Sequence, residues 1–164
     1  MAIRKRIKQA NYLKVDGEFK FLGFSFTNLT EKPSPKTTSK RYVGNASATQ
    51  SISNYEWSTD FEGDQIESDE VVEYIRNIGE MCLTGADAET EYLIVDRDKE
   101  GTIADTYRCR KFNIAIQVDE FGDNDGELQL SGSFQGKGDP VLGTFTKTDK
   151  TFAEGFTPKV VVTP

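Results

Sequence analysis

Between Asn54 and Ile78 the apolar residues change period once, and that change limits the possible folds more than any other feature of the chain. In Asn54–Asp64, Tyr55, Trp57 and Phe61 fall on one parity, and Asn54, Glu56, Ser58, Asp60 and Glu62 on the other. Strand side chains alternate between faces, so the pattern predicts a half-buried strand with one apolar face and one acidic, solvated face. Gly63-Asp64 breaks it. From Ser68 onward Val71, Val72, Ile75 and Ile78 recur at helical spacing, with Asp69, Glu70 and Glu73 outside the stripe. This predicts an amphipathic helix over residues 68–78, capped by Ser68 or Asp69, favoured by its acidic first turn and stopped at Gly79. Strand-like segments lie on both sides. The helix is therefore expected to plug an open end or cover one face of a β-structure.

Tyr12–Val15 reads as a short strand and Asp16-Gly17 as a turn. Phe19–Thr27 is apolar on changing parity, and the flip beside Gly23 predicts a bulge. Asn28–Gln50 carries Lys32, Pro33, Pro35, Lys36, Lys40 and Arg41, with Tyr42-Val43 its strongest apolar pair. A connection of this length is long for a compact domain and reads as an arm or a loop. It separates two segments, Phe19–Thr27 and Ser51–Glu62, that could pair as a hairpin. Strands follow at Glu91–Arg97, with a turn at Asp98–Gly101, then at Thr102–Cys109 continuing into Phe112–Glu120. There Phe112, Ile114, Ile116 and Val118 should face inward. Gly122–Gly126 is a turn, and Leu128, Leu130 and Phe134 alternate with Gln129, Ser131, Ser133 and Gln135. Leu142–Lys147 and Thr151–Phe156 supply a last hairpin. The expected fold is mainly β: a sandwich or barrel of about eight strands flanked by one α-helix, with a long inter-strand arm and extended termini. The chain divides into a basic, mobile arm (1–10), the β-domain (11–157) and a C-terminal tail (158–164).

Twenty basic against twenty-seven acidic residues give a net charge of −7, unevenly spread. Residues 1–14 hold Arg4, Lys5, Arg6, Lys8 and Lys14 and no acid, while Glu56–Glu73 holds eight acids and no base. Binding to phosphate backbones needs clustered Lys and Arg, so a body this acidic is a poor general nucleic-acid binder. Met1–Lys14 lacks the apolar core of a signal peptide, and no run approaches membrane-spanning length. Cys82 and Cys109 are expected to be free thiols in a reducing cytoplasm.

Chemistry is harder to find. The chain has no histidine, which removes Ser-His-Asp and Cys-His systems and most metal sites. Asp123–Gly126 has the wrong spacing for a calcium loop and reads as a hairpin turn. Gly132–Gly138 is one residue short of a phosphate loop and leads into no helix. Glu56 and Asp60, alternating along one strand, describe a wet face rather than an acid–base pair. No catalytic residue, metal site or cofactor is expected.

Certain motifs carry a resemblance. Lys40-Arg-Tyr-Val43, a Ser/Thr-rich stretch, Tyr55-Glu-x-Ser-x-x-Phe-Glu-Gly-Asp64 and the acidic Asp-Glu-Val-Val-Glu-Tyr-Ile helix come in order. Phe112–Asp119, the Leu128-Gln-Leu-Ser-Gly132 strand and Gly136-Lys-Gly-Asp-Pro-Val141 follow. Over roughly Lys40 to Phe152 the chain resembles the major tail (tail tube) proteins of long-tailed bacteriophages. The resemblance implies a non-enzymatic virion protein, assembled in the host cytoplasm into stacked hexameric rings through which DNA passes unbound. It implies tape measure, tail terminator and distal tail proteins as partners, with no membrane. It also implies that Lys32, Pro33, Pro35, Lys36, Lys40, Arg41 and Tyr42 form an assembly arm. For the lumen, the wet parities offer Glu56, Ser58, Asp60, Asn113, Gln117, Gln129, Ser131, Ser133 and Gln135. The rivals are a tube from a prophage-derived or contractile injection device, and a monomeric carbohydrate-binding β-module using Tyr55 and Trp57 as a stacking platform.

Overall fold

Two Asp-Gly pairs set the framework. Asp16 and Gly17 (φ 51° and 81°), and likewise Asp125 and Gly126 (51° and 85°), sit in the left-handed region that a two-residue hairpin turn requires. The first joins β1 (Gln9–Val15) to β2 (Glu18–Phe21), and the second joins β8 (Thr106–Asn124) to β9 (Glu127–Gly136). The computed structural model describes residues 1–160, so the last four residues of the expected tail lie outside it. The remaining elements are β3 (Phe26–Lys32), β4 (Pro35–Lys40), β5 (Thr49–Tyr55), β6 (Ser58–Asp64), α1 (Glu70–Glu80), β7 (Glu89–Glu100), β10 (Val141–Thr146) and β11 (Thr151–Glu154).

Nine strands form one antiparallel sheet, seven of them in the order β2-β1-β7-β8-β9-β6-β3 and β10 and β11 off that path. β8 is long enough to serve two partners on its edge away from β7. Thr106–Lys111 pairs with β10, and Ile114–Asn124 pairs with β9. The sheet thus forks at β8, with β10-β11 on one branch and β9-β6-β3 on the other. The main core lies between the strands and α1, and includes Leu13, Phe61, Tyr92, Phe112, Ile114, Leu130 and Phe134. A smaller one on the opposite face gathers Tyr12, Leu93, Val95, Cys109 and Phe145. This explains why Tyr92–Val95 is an unbroken apolar run: Tyr92 and Ile94 serve the first core, Leu93 and Val95 the second. The mainly β fold with one flanking helix matches the sequence expectation.

The helix buries Val71, Val72, Ile75 and Ile78, the stripe expected from periodicity. Its cap is Asp69, whose carboxylate accepts from the Val71 N–H and also from the Ser25 hydroxyl. Ser68 takes no part in the cap. Gly79 does not stop the helix, which continues to Glu80 and reverses at Cys82 (φ 51°). A Cβ at Gly79 would lie 2.7 Å from Phe121 and 2.9 Å from Val118, so the glycine lets the last helical turn press against β8.

Several expected boundaries move. Phe19–Thr27 is two strands rather than one bulged strand: Phe21 pairs with Tyr12 on β1, the chain turns through Gly23, and Phe26 starts β3 beside β6. The expected Ser51–Glu62 strand is likewise divided, because Glu56-Trp57 leaves the sheet between β5 and β6. Asn28–Gln50 is not a loop. Its first part extends β3, and the rest forms most of the β4-β5 hairpin. Thr37, Thr38, Thr49 and Ile52 favour extended backbone, and Pro35 takes the first strand position, where a missing N–H is tolerated. The turn expected at Asp98–Gly101 comes later, since β7 runs to Glu100. At the amino end Gln9 and Ala10 already belong to β1. Arg4 is held by Asp96 at 2.7 Å and Asp98 at 2.8 Å, so the basic segment is tied to the domain rather than free. These divisions yield eleven strands among the described residues, where about eight were expected.

Candidate functional site: a polar sheet face and a coreless hairpin

Strand register decides which polar residues stand together. Ser58, Asp60, Glu62 and Asp64 on β6 lie opposite Gln135, Ser133, Ser131 and Gln129 on β9. The same β9 residues face Ala115, Gln117, Glu120 and Gly122 on β8. Period-two geometry puts all of them on one face, with Thr59, Phe61, Leu130 and Phe134 on the other, inside the main core. Asn113 shares the parity of Ala115 and Gln117. Asn28, Thr30 and Lys32 of β3 extend the face across a fourth strand. Four strands at a spacing of about 4.8 Å make a strip roughly 14 Å wide between outer strand axes.

Eight of the nine residues named for this face from sequence are brought together there: Ser58, Asp60, Asn113, Gln117, Gln129, Ser131, Ser133 and Gln135. Glu56 is not. It sits in the β5–β6 connection, where its N–H donates to the Ser34 carbonyl and its carboxylate pairs with Lys36 at 3.3 Å. Ser133 has the expected direction but is 5% exposed, sunk between longer neighbours and accepting from Gln135 Nε2 at 2.7 Å. The other amides are also occupied. Gln117 donates to Asp119 at 2.7 Å, and Gln129 to Asp64 at 3.0 Å. Its cations are ion-paired: Lys32 with Asp60, and Lys137, which stands opposite Asn113, with Glu89 at 2.7 Å. What the face offers to solvent is hydroxyls, amides and carboxylates.

The arm residues named from sequence all lie on the β4-β5 hairpin or at its root. β4 and β5 pair from Pro35↔Tyr55 to Lys40↔Thr49, and every residue of both strands is exposed. Lys40 lies over the Tyr42 ring at 5.3 Å, and the Arg41 guanidinium leans on the Asn45 carbonyl. Tyr55 is 60% exposed and belongs to this hairpin rather than to the core, contrary to its parity with Phe61. The parity count fails because the chain leaves one sheet and enters another between the two residues.

The root of the hairpin is clamped by contacts that sequence reasoning did not anticipate, two of them through Glu31 and Arg110, which it did not single out. Trp57 stacks on Phe112 at 4.0 Å and 12°, and its Nε1–H donates to Glu31 at 3.1 Å. Arg110 pairs with the same carboxylate at 3.1 Å and lies 5.6 Å over the Phe112 ring. Both strands that lead into the hairpin are therefore fastened to β8. With one face of Trp57 against Phe112 and Tyr55 on the hairpin, the two do not form an aromatic platform for a sugar. Among the described residues no cluster of His, Cys, Asp or Glu is suited to a metal ion, and no helix is long and apolar enough to cross a membrane.

This is the architecture of a forked antiparallel β-sandwich with a single covering helix and a projecting hairpin. The same fold occurs in the tail of an empty gene transfer agent particle, refined helically with C6 symmetry. That chain is 12% identical, with a TM-score of 0.62 over 85% of this chain and 98% of that one. A chain from the virion of a native gene transfer agent particle is similar at 11% identity and a TM-score of 0.57, with the same coverage. The sequence matches no protein-family model and no curated protein.

Proposed function

We propose that this chain is a structural protein of a phage-like tail, built into the virion as the repeating unit of the tail tube. The observation that carries the reading is the β4-β5 hairpin. A two-stranded hairpin exposed on both faces is marginal in water by itself, so its extension is best explained by a second copy that covers it. The likeness of fold to chains of a gene transfer agent tail and of a gene transfer agent virion supports this, since the tail is described with C6 symmetry. The finer reading is that six copies form a ring, and that rings stack through the arm. The β6-β9-β8 face then lines the lumen through which DNA moves to the host, with tape measure, terminator and distal tail proteins at the ends. A lumen of amides, hydroxyls and carboxylates, whose lysines are held in ion pairs, gives DNA phosphate no unpaired cation to grip. The chain acts without catalysis. Electron microscopy of the purified protein at rising concentration tests the reading: rings or tubes are expected, and dispersed monomers at every concentration would overturn it.

A further inference from the structure

The structure places opposite charges at opposite ends of the same ladders. From Pro33 to Tyr55 there are three cations, Lys36, Lys40 and Arg41, and no acid. Lys36 is paired with Glu56, whereas Lys40 and Arg41 have no carboxylate partner among the described residues. Beside them Tyr42 is 53% exposed and Val43 fully so. From Phe112 to Gly136, in contrast, there are five acids, Asp119, Glu120, Asp123, Asp125 and Glu127, and no base. None of the five is in an ion pair among the described residues. Asp123 shares a face with Phe121 (44% exposed) and Leu128 (60%), diagonal neighbours at the end of the β8-β9 hairpin, while Glu120 and Glu127 stand on the opposite, polar face. The arm leaves the sheet at the Ser58/Gln135 row, and the acidic turn closes the other end of β9, eight residues and about 27 Å away.

We propose that the acidic β8-β9 turn is the docking surface for the cationic, aromatic tip of the β4-β5 hairpin of a second copy. This rests on the reading of the chain as a self-assembling tail protein, and it names the surface that receives the arm. The arm tip straddles the turn: Lys40 and Arg41 meet Asp123 on one side and Glu127 on the other, and Tyr42 and Val43 cover Phe121 and Leu128. Each side supplies the charge and the apolar surface that the other leaves unmatched. The contact is heterologous, because the two patches differ and lie at separate ends of the molecule. A contact of this kind propagates head to tail instead of closing on a dimer. It also makes assembly weaker as ionic strength rises, over the screening lengths of ordinary buffers.

Charge reversal tests it. Lys40→Glu with Arg41→Glu, and separately Asp123→Lys with Glu127→Lys, should each leave a folded chain by circular dichroism while lowering assembly at least tenfold. Combining all four changes in one chain should restore assembly, because the attraction is re-created with reversed sign. In a Cys82→Ser background, Val43→Cys chains mixed with Leu128→Cys chains should give a disulfide-linked pair on oxidation, and neither variant alone should. If wild type assembles but the fourfold variant stays dispersed and no cross-link forms, this docking surface is wrong and the tail reading stands. Wild type that stays dispersed, with no cross-link between the two cysteine variants, would overturn both.

Discussion

Cys109 and Cys82 show how the same residue type takes its behaviour from its surroundings. Cys109 is fully buried in the smaller core beside Val95 and Phe145, and burial pushes its thiol up to about 12. Cys82 ends α1 in the open. A thiol reagent at pH 8 should therefore modify one cysteine per native chain and two in denaturant, read by absorbance. Two rapid reactions in the native chain would mean that the smaller core is open. The pH dependence has a definite sign. A thiol whose pKa is raised on folding stabilises the native state fully below its unfolded value, about 8.5, and loses that contribution as pH rises toward 12. Tyr92, buried and hydrogen-bonded to Asn11, is raised in the same direction by desolvation. Chemical denaturation should show stability falling progressively above pH 8.5. A flat profile to pH 11 would contradict this.

At the scale of elements, α1 and the β4-β5 hairpin lie at opposite extremes. Ile75 is fully buried beneath the helix, so Ile75→Ala should cost about 2–5 kcal/mol in urea unfolding, from lost transfer energy plus the cavity left behind. An unchanged midpoint would place that stripe outside the core. The hairpin contributes no residue to either core. Removing Lys36–Asn54 and closing the gap with a two-residue turn should leave the melting temperature within a few degrees of wild type. The shortened chain should form no tubes under conditions where wild type does, as judged by sedimentation and microscopy. The cut spares Glu31 and Trp57, since their clamp with Arg110 and Phe112 belongs to the stability of the domain. Tubes of normal length from the shortened chain would remove the hairpin from assembly.

For the whole molecule, the direction of the polar face in an assembly governs what DNA would meet. If it lines a lumen, lysines placed on it should leave ring formation nearly intact and retard DNA, most strongly at low salt. Gln117 and Ser131 are suitable positions, being on the face and at least partly exposed; Ser133 is too deeply set to accept a lysine. Particles carrying Gln117→Lys with Ser131→Lys should eject DNA more slowly than wild type in a single-particle assay. Wild-type kinetics in such particles would put the face on the exterior.

The parts of this architecture that depend on near neighbours were legible in the sequence. The α1 stripe follows from helical spacing, the Asp16-Gly17 turn from its residue pair, and the polar β8-β9 face from alternation; the second turn was drawn too long, as Gly122–Gly126, because β8 runs on to Asn124. Eight residues of that face were identified because alternation survives within a single strand. Where the chain passes from one sheet to another, parity loses its meaning: Tyr55 and Glu56 were misplaced because the break before Ser58 has no compositional mark. The arm read as a loop because proline, serine and lysine dominate it, although its threonines pair across strands. The fork of the sheet at β8, the clamp of Trp57 and Arg110 on Glu31, and the separation of the cationic hairpin from the acidic turn all join residues distant in sequence. Such contacts depend on which strand edges meet. The long-range packing of the core decides that, and no local pattern encodes it.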